Sequence, residues 1–134
     1  MPNVEQSGAS GHGSVDTEFE TLLDSSSPEV AATARALRTA VVKAVPDAVQ
    51  QVDMPDRLLA FGTSPAMRDL LFAIIPHKAH VNLQLADGVD LPNDAGLIEG
   101  TGKRVRHVKV RTAEAAGSAP VRQVIDAQIA HSRG

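Results

Sequence analysis

The chain has 134 residues, of which 43% are hydrophobic and 22% are charged, and its formal net charge is −3. These values are typical of a single domain with one packed core, and they exclude a chain that is disordered throughout. The sequence contains no cysteine, which excludes disulfides, thiolate metal sites and thiol nucleophiles.

Residues that commonly recognise nucleic acids and membranes are scarce. The chain contains no Tyr or Trp, and Phe19, Phe61 and Phe72 offer few surfaces on which bases could stack, so we expect no nucleic-acid partner. The longest apolar run, residues 70–75, is far shorter than the roughly 18 residues that a membrane-spanning helix needs. Because the first residues also lack the basic and apolar regions of a signal peptide, we expect a cytoplasmic protein with no membrane partner.

The N-terminal segment is predicted to lie outside the fold. Residues 1–15 are rich in Gly, Ser, Asn and Gln, and their few apolar side chains offset little of the entropy lost on ordering. We therefore expect a disordered tail over residues 1–15 and one folded domain over residues 16–134. Within that domain, the spacing of Phe19, Leu22 and Leu23 predicts a short helix that ends at the following serines.

A long helix is predicted over residues 28–45. Ser27 suits the N-cap position, Pro28 the first helical position and Glu29 the positive end of the helix dipole. Pro46 ends the helix because it lacks a backbone donor. The apolar residues repeat with a period of 3.6, which is typical of an amphipathic helix. They are Val30, Ala34, Leu37, Val41 and Ala44.

Short strands are predicted between residues 48 and 85, where apolar residues recur with a period of two and turn residues separate them. Val81, Leu83 and Leu85 alternate with polar residues, which predicts a strand buried on one side only. Residues 70–75 are apolar throughout, which predicts a central strand covered on both faces. Two helices can cover only one face of a sheet, so we expect a second copy of the chain to cover the other, in a homodimer.

The C-terminal part is predicted to combine short helices with one more strand. Asn93 or Asp94 is expected to cap a one-turn helix that Gly100 ends, and residues 103–111 to form the last strand. Ser118 is expected to cap a final helix. Helices at both ends of a run of consecutive strands predict an α+β fold. We expect a two-layer sandwich in which N- and C-terminal helices pack on an antiparallel sheet of about five strands.

The clearest candidate for a ligand site is the loop before the last strand. Backbone N–H groups of a glycine-rich turn can hold an anion, and neighbouring cations add charge-assisted hydrogen bonds. The spacing does not match a nucleotide-binding phosphate loop, since Leu97 replaces the first required glycine and Arg104 replaces the hydroxyl residue. The alternative is a simple turn followed by a charged edge strand that resists aggregation. The residues of the predicted anion site are Gly100, Thr101, Gly102, Lys103, Arg106 and His107.

Metal binding and catalysis are not expected from the remaining polar residues. His77 and His80 are three positions apart, but Pro76 argues against the helix that would place them on one face. The chain contains no Gly-x-Ser-x-Gly and no His-Glu-x-x-His motif, so we expect neither an enzyme nor a bound metal or cofactor. A group of N-terminal carboxylates could hold a hard cation, although acids also suit a helix start. Its members are Asp16, Glu18, Glu20, Asp24 and Glu29.

Two segments carry a resemblance to a known family. Residues 100–103 read Gly-Thr-Gly-Lys and residues 106–109 read Arg-His-Val-Lys, and they follow the apolar stretch at 69–83. Over residues 19–131 the chain resembles the YdhG-like domain family of bacteria. The resemblance implies a frataxin-like architecture, in which terminal helices pack on one face of an antiparallel sheet, but no agreed activity. Some members are described as frataxin-like iron chaperones.

Two functional hypotheses follow from these patterns. The first is a small binding or accessory domain whose partner is a small anionic ligand, held by loop 100–103. The alternative, implied by the resemblance, is an iron chaperone that uses the N-terminal carboxylates. Salt-sensitive anion binding would favour the first hypothesis, and binding of ferrous ion would favour the second.

Overall fold

The described chain begins with two helices. The computed structural model describes residues 12–133, and its first elements are α1 (His12–Leu23) and α2 (Pro28–Ala44). The predicted start of the long helix is confirmed, because the Val30 backbone N–H donates to Ser27 Oγ at 3.2 Å. Residues 12–15, which the sequence analysis assigned to the tail, belong to α1, and Val15 packs against the core. The rest of that tail, residues 1–11, lies outside the described residues.

Six strands form one antiparallel sheet in the order β1-β2-β3-β4-β6-β5. They are β1 (Val49–Asp53), β2 (Leu58–Gly62), β3 (Leu70–Pro76), β4 (Val81–Leu85), β5 (Ile98–Glu99) and β6 (Arg106–Val110). The one-turn helix predicted before Gly100 is wrong. Ile98 and Glu99 instead form β5, because they pair with residues of β6.

The described chain ends with two more helices, α3 (Ala113–Ala116) and α4 (Ala119–Arg133). The sequence analysis did not predict α3, which has only four residues and is capped by Thr112. The start of α4 agrees with the predicted cap, since Ser118 Oγ accepts from the Val121 backbone N–H at 3.5 Å. None of the helices in the described part of the chain is long and apolar enough to cross a membrane.

The helices pack on one face of the sheet and form the second layer of the sandwich. α1 packs on β1, α2 packs on β3 and β4, and α4 packs on β3. Alternate strand residues point into this interface and are almost fully buried. They include Leu59, Phe61, Phe72, Ile74, Leu83, Leu85, Val108 and Val110. The predicted α+β fold with N- and C-terminal helices is therefore confirmed.

The opposite face of the sheet, called here the uncovered face, carries the other alternate residues. Cross-strand pairing aligns one row of these residues across the sheet, with one residue from each of the six strands. The row is Gln51, Ala60, Ala73, Gln84, His107 and Glu99. Its residues are small and apolar at the centre and polar or charged towards β5, so the uncovered face has two chemically different halves.

A buried glutamine connects the helical layer to the chain that follows β4. Gln128, on α4, accepts from the Asp87 backbone N–H at 2.8 Å and donates from Nε2 to Asp87 Oδ2 at 2.9 Å. Its side chain is fully buried. Asp87 Oδ1 also accepts from Arg104 Nη2 at 2.6 Å. These three residues, the Gln128 clamp, fix both ends of the segment 87–104.

Changing Gln128 to Leu should lower the free energy of unfolding by about 2 to 3 kcal/mol, because an Asp87 N–H and a carboxylate oxygen lose their buried partner. Chemical denaturation measures the change. The matched control is Gln123→Leu, since Gln123 lies on the same helix with an exposed side chain. Equal stability of the two variants would show that the clamp contributes nothing.

Candidate functional site

Loop 100–105, which connects β5 to β6, contains most of the predicted anion site. Gly100 has φ +122°, a conformation that favours glycine. A Cβ added to Gly100 would lie 3.3 Å from Arg106 Cδ and 3.4 Å from His107 Nδ1. The structure therefore brings these three predicted site residues together.

Gly102 lies in a tight turn of the same loop. A Cβ added there would lie 2.6 Å from the Val105 carbonyl oxygen, so only glycine fits without a backbone shift. Because of this turn the last strand begins at Arg106, so the predicted start at residue 103 is wrong. Thr101 and Lys103, the remaining predicted site residues, have exposed side chains.

Two of the three cations at the loop already have partners within the protein. Arg106 Nε donates to the Gly102 carbonyl at 2.8 Å, and Arg104 belongs to the Gln128 clamp. Lys103 is the loop cation for which the described residues provide no hydrogen bond or ion pair. The arginines of the loop thus hold its shape.

The clamp also keeps Asp87 charged. Burial raises the pKa of the Asp87 carboxyl, but hydrogen bonds from Arg104 and Gln128 and the positive charges of Arg104 and His131 outweigh it. The pKa therefore lies below its ordinary value of 3.8. At neutral pH the carboxylate stays paired with Arg104, which removes that cation from the predicted anion site.

A groove of about 430 Å³ lies on the uncovered face above β1, β2 and β3. Its floor consists of Ala60, Gly62 and Ala73, whose short side chains leave space between longer neighbours. Its volume and mainly apolar lining are typical of sites that bind small molecules. The longer residues that line it include Val49, Gln51, Leu58, Leu70 and Gln84.

This groove was not predicted from the sequence. Ala60, Gly62 and Ala73 lie on two strands and become neighbours only through the pairing of β2 with β3. The available signal was the occurrence of small residues at alternate positions of otherwise apolar strands, which leaves a depression on one face of a sheet.

Two methionines flank the groove at opposite turns. Met54 lies in the turn between β1 and β2, and Met67 lies between β2 and β3. Their side chains are exposed by 41% and 81%, which is unusual for large apolar residues. Methionine side chains are flexible and polarisable, so they can adjust to apolar molecules of different shapes.

A second depression, of about 580 Å³, lies in the helical layer between α2 and the C-terminal helices. Its apolar surface comes from alanines such as Ala36, Ala40 and Ala116, and the charged residues Lys43 and Asp126 also line it. It lacks the long apolar side chains that could surround a ligand. The groove on the uncovered face is therefore the better candidate.

Several basic side chains lie together at the start of β4, where the hairpin turn joins it to β3. His77 and His80 lie in the hairpin turn, where the His77 backbone N–H donates to the His80 carbonyl at 2.8 Å. Their rings stack with centroids 4.8 Å apart. Lys109 pairs with Asn82 across β4 and β6, and the same register places Arg111 opposite His80. His77, His80, Lys109 and Arg111 are called the hairpin cluster below.

The neutral form of the His80 ring is favoured in this environment. Burial lowers the pKa of His80, and the positive charges of His77, Lys109 and Arg111 lower it further. The Asn82 carboxamide beside the ring opposes this shift by favouring the protonated form, but the pKa still lies below its ordinary value of 6.5.

The N-terminal carboxylates are partly neutralised by arginines of α2. Glu20 accepts two hydrogen bonds from Arg35, at 2.8 and 2.9 Å, which lower the pKa of Glu20. Asp16 lies 2.6 Å from Arg38. Within residues 12–133, no group of three or more His, Asp or Glu side chains is placed to hold a metal ion.

Changing Gly102 to Ala should destabilise the protein by about 2 kcal/mol, because the new Cβ would press on the Val105 carbonyl. Thermal unfolding followed by circular dichroism measures the effect. Gly117→Ala is the matched control, since a Cβ at Gly117 would lie 3.9 Å from its nearest neighbour, in ordinary contact. Loss of stability in both variants alike would contradict the role assigned to the turn.

The lowered pKa of His80 also predicts how stability depends on pH. The unfolded chain takes up a proton on His80 near pH 6.5, whereas the folded protein resists protonation to lower pH. The His80 contribution to stability is therefore full above about pH 6.5 and is lost as the pH falls through the folded-state pKa. Denaturation of the wild type and of His80→Asn between about pH 7.5 and pH 5 should show a smaller loss in the variant. Parallel losses would contradict this assignment.

Comparisons with known proteins provide no relative from which a role could be transferred. No protein-family model, curated protein or solved structure matches the chain. The resemblance to the YdhG-like domain family therefore stays a prediction. The candidate sites have to be judged from the geometry and chemistry of the chain's own residues.

Proposed function

We propose that the protein is a non-catalytic binding module that holds a small molecule with an apolar body in the groove on the uncovered face. The observation that carries this proposal is the groove of about 430 Å³ and its lining. Long apolar side chains surround a floor of alanine and glycine, and Gln51 and Gln84 supply polar groups that can orient a ligand. Asp53 and Asp56 line the groove near the turn between β1 and β2.

The concave shape favours a small molecule over a second copy of the chain. Two sheet faces that pack together interdigitate side chains of similar length, whereas here the centre of the face is recessed at Ala60 and Ala73. A homodimer would add little burial at the centre of β3 either, since Ala73, its residue in the row on the uncovered face, is almost fully buried within the single chain. The homodimer stays a prediction, and light scattering tests it.

The predicted anion site at loop 100–103 stays a second, weaker candidate. The backbone N–H groups of Thr101, Gly102 and Lys103 donate no hydrogen bond to the described residues, and the Lys103 ammonium is exposed. These groups support weak anion binding. Because Arg104 and Arg106 hold the loop itself, one cation remains to attract a ligand, and we rank the groove first.

The iron-chaperone alternative and membership of the YdhG-like family also remain proposals. Membership is supported by the residue order at 100–103 and 106–109. Iron delivery would depend on Glu18, Asp24 and Glu29, since Asp16 and Glu20 are paired with arginines. No observation on these carboxylates favours iron over solvent.

The groove should bind a neutral apolar fluorophore such as N-phenyl-1-naphthylamine, with an increase in fluorescence. Ala60→Leu should weaken binding at least about tenfold, because the added side chain fills the recessed floor that the apolar ligand would occupy. The matched control is Ala40→Leu, since Ala40 is a half-buried alanine that lines the depression in the helical layer.

Unfolding temperatures of both variants establish that each is folded before binding is compared. Undiminished binding by Ala60→Leu would sink the proposal, as would a loss confined to Ala40→Leu. The absence of any binding by the wild-type protein up to the solubility limit of the fluorophore would also count against it.

A further inference from the structure

The hairpin cluster places four basic side chains together with little compensating acid. Continued one residue beyond the strands, the register of β4 and β6 places His80 opposite Arg111, and the pair Asn82–Lys109 lies two residues further along. Among the ion pairs of the described residues, the one carboxylate that reaches the cluster is Glu99, 3.9 Å from Lys109 Nζ. The cluster therefore has a local excess of positive charge.

A buried acceptor without a donor lies beside this cluster. Asn82 Oδ1 is buried, and no donor among the described residues reaches it with hydrogen-bond geometry. An unpaired buried polar atom destabilises the folded state, because it loses its hydrogen bonds to water without replacement. The protonated ring of His80, which lies beside Asn82, carries an N–H on both ring nitrogens, so it offers this oxygen a donor whichever nitrogen faces it.

Different contacts oppose the two protonation states of His80. The neutral ring avoids repulsion by His77, Lys109 and Arg111, but its single N–H can serve Asn82 Oδ1 in only one of its two tautomers. The protonated ring can donate to Asn82 but adds one more positive charge to the cluster. A negative charge beside the cluster would offset the repulsion between the protonated His80 ring and the other positive charges.

We infer that the hairpin cluster binds an oxyanion, such as a phosphate or sulfate group, and that binding is coupled to protonation of His80. Arg111 and Lys109 supply charge-assisted donors, and guanidinium groups suit the paired oxygens of such anions. A metal ion would not fit, because the positive charges of Lys109 and Arg111 repel it. The proposed function, which is binding of an apolar ligand in the groove, does not involve this cluster.

This site is separate from loop 100–105. The strand β6 rises about 3.3 Å per residue, so the backbone of Arg111 lies about 16 Å from that of Arg106. One small oxyanion cannot contact both ends of the strand. Variants of Lys103 should therefore leave binding at the hairpin cluster unchanged.

Anion binding and proton binding to His80 influence each other reciprocally. If an anion raises the affinity of His80 for a proton, protonation raises the affinity for the anion by the same factor. Anion binding should therefore strengthen as the pH falls below about 6.5, the ordinary histidine value. Sulfate is the suitable probe, because it keeps its double charge over this range whereas phosphate changes its own.

The first test is an NMR titration of the His80 ring in sulfate and in chloride at equal ionic strength. Saturating sulfate should raise the pKa of His80 by about one unit, which corresponds to about a tenfold gain in affinity on protonation. Arg111→Gln should abolish this shift. Arg122→Gln is the matched control, since Arg122 is an exposed arginine on α4. An unchanged pKa in sulfate, or equal effects of the two variants, would overturn the inference.

The second test measures the sulfate dissociation constant by calorimetry at about pH 5.5 and pH 7.5, on either side of the histidine range. The wild type should bind about tenfold more tightly at the lower pH. His80→Asn should remove the pH dependence, whereas His107→Asn should retain it. A pH dependence that survives His80→Asn would refute the coupling. Ala60→Leu should bind sulfate normally, so failure of the groove proposal can be told apart from failure here.

Discussion

The bidentate contact between Gln128 and Asp87 is the constraint on which the second half of the sheet depends. β4 and β6 are separated in the chain by residues 86–105, which contain only a short 3-10 turn and the two-residue strand β5. Hydrogen bonds within this segment join Val89 to Arg104 and Asn93 to Ile98. The clamp adds an anchor from the start of the segment to α4, and Arg104 joins its end to the same carboxylate. These contacts together position loop 100–105 and the beginning of β6.

The positioning of β6 gives the uncovered face its two halves. On β2 and β3 the face is apolar and recessed, with Gln51 beside it on β1, while β4, β6 and β5 contribute Asn82, Gln84, His107, Lys109 and Glu99. A sheet covered on one face only normally exposes polar residues on the other. The apolar half departs from this rule, and large apolar residues left accessible on a protein surface commonly mark binding sites. The groove and the hairpin cluster are therefore best understood as two neighbouring features of one exposed surface.

Local signals were sufficient for the helices and for the class of fold. Ser27 and Pro28 fixed the start of α2, and Ser118 indicated the start of α4, because caps act within one turn of chain. The position of Arg111 opposite His80 could not be predicted, since it depends on the pairing of β4 with β6, strands that are not consecutive in the chain. The burial of Gln128 could not be predicted for a related reason. A polar residue is usually exposed, and only its hydrogen bonds to Asp87, which is distant in the sequence, explain its burial. Gly102 was recognised as part of a turn, but the pairing of Arg104 with Asp87 is a tertiary contact between residues 17 positions apart in the sequence.

The methionines at the groove have a consequence for the chemistry of the surface. The chain has no cysteine, and besides Met1 its sulfur atoms are those of Met54 and Met67. Both are accessible to solvent, and oxidants convert exposed methionine to the sulfoxide, a polar side chain that methionine sulfoxide reductases can restore. Oxidation would place a strong hydrogen-bond acceptor at each side of an apolar groove while leaving the hairpin cluster untouched. Peroxide treatment would then act on binding proposed at the groove and not on binding proposed at the hairpin cluster, without any substitution, and reduction would reverse its effect.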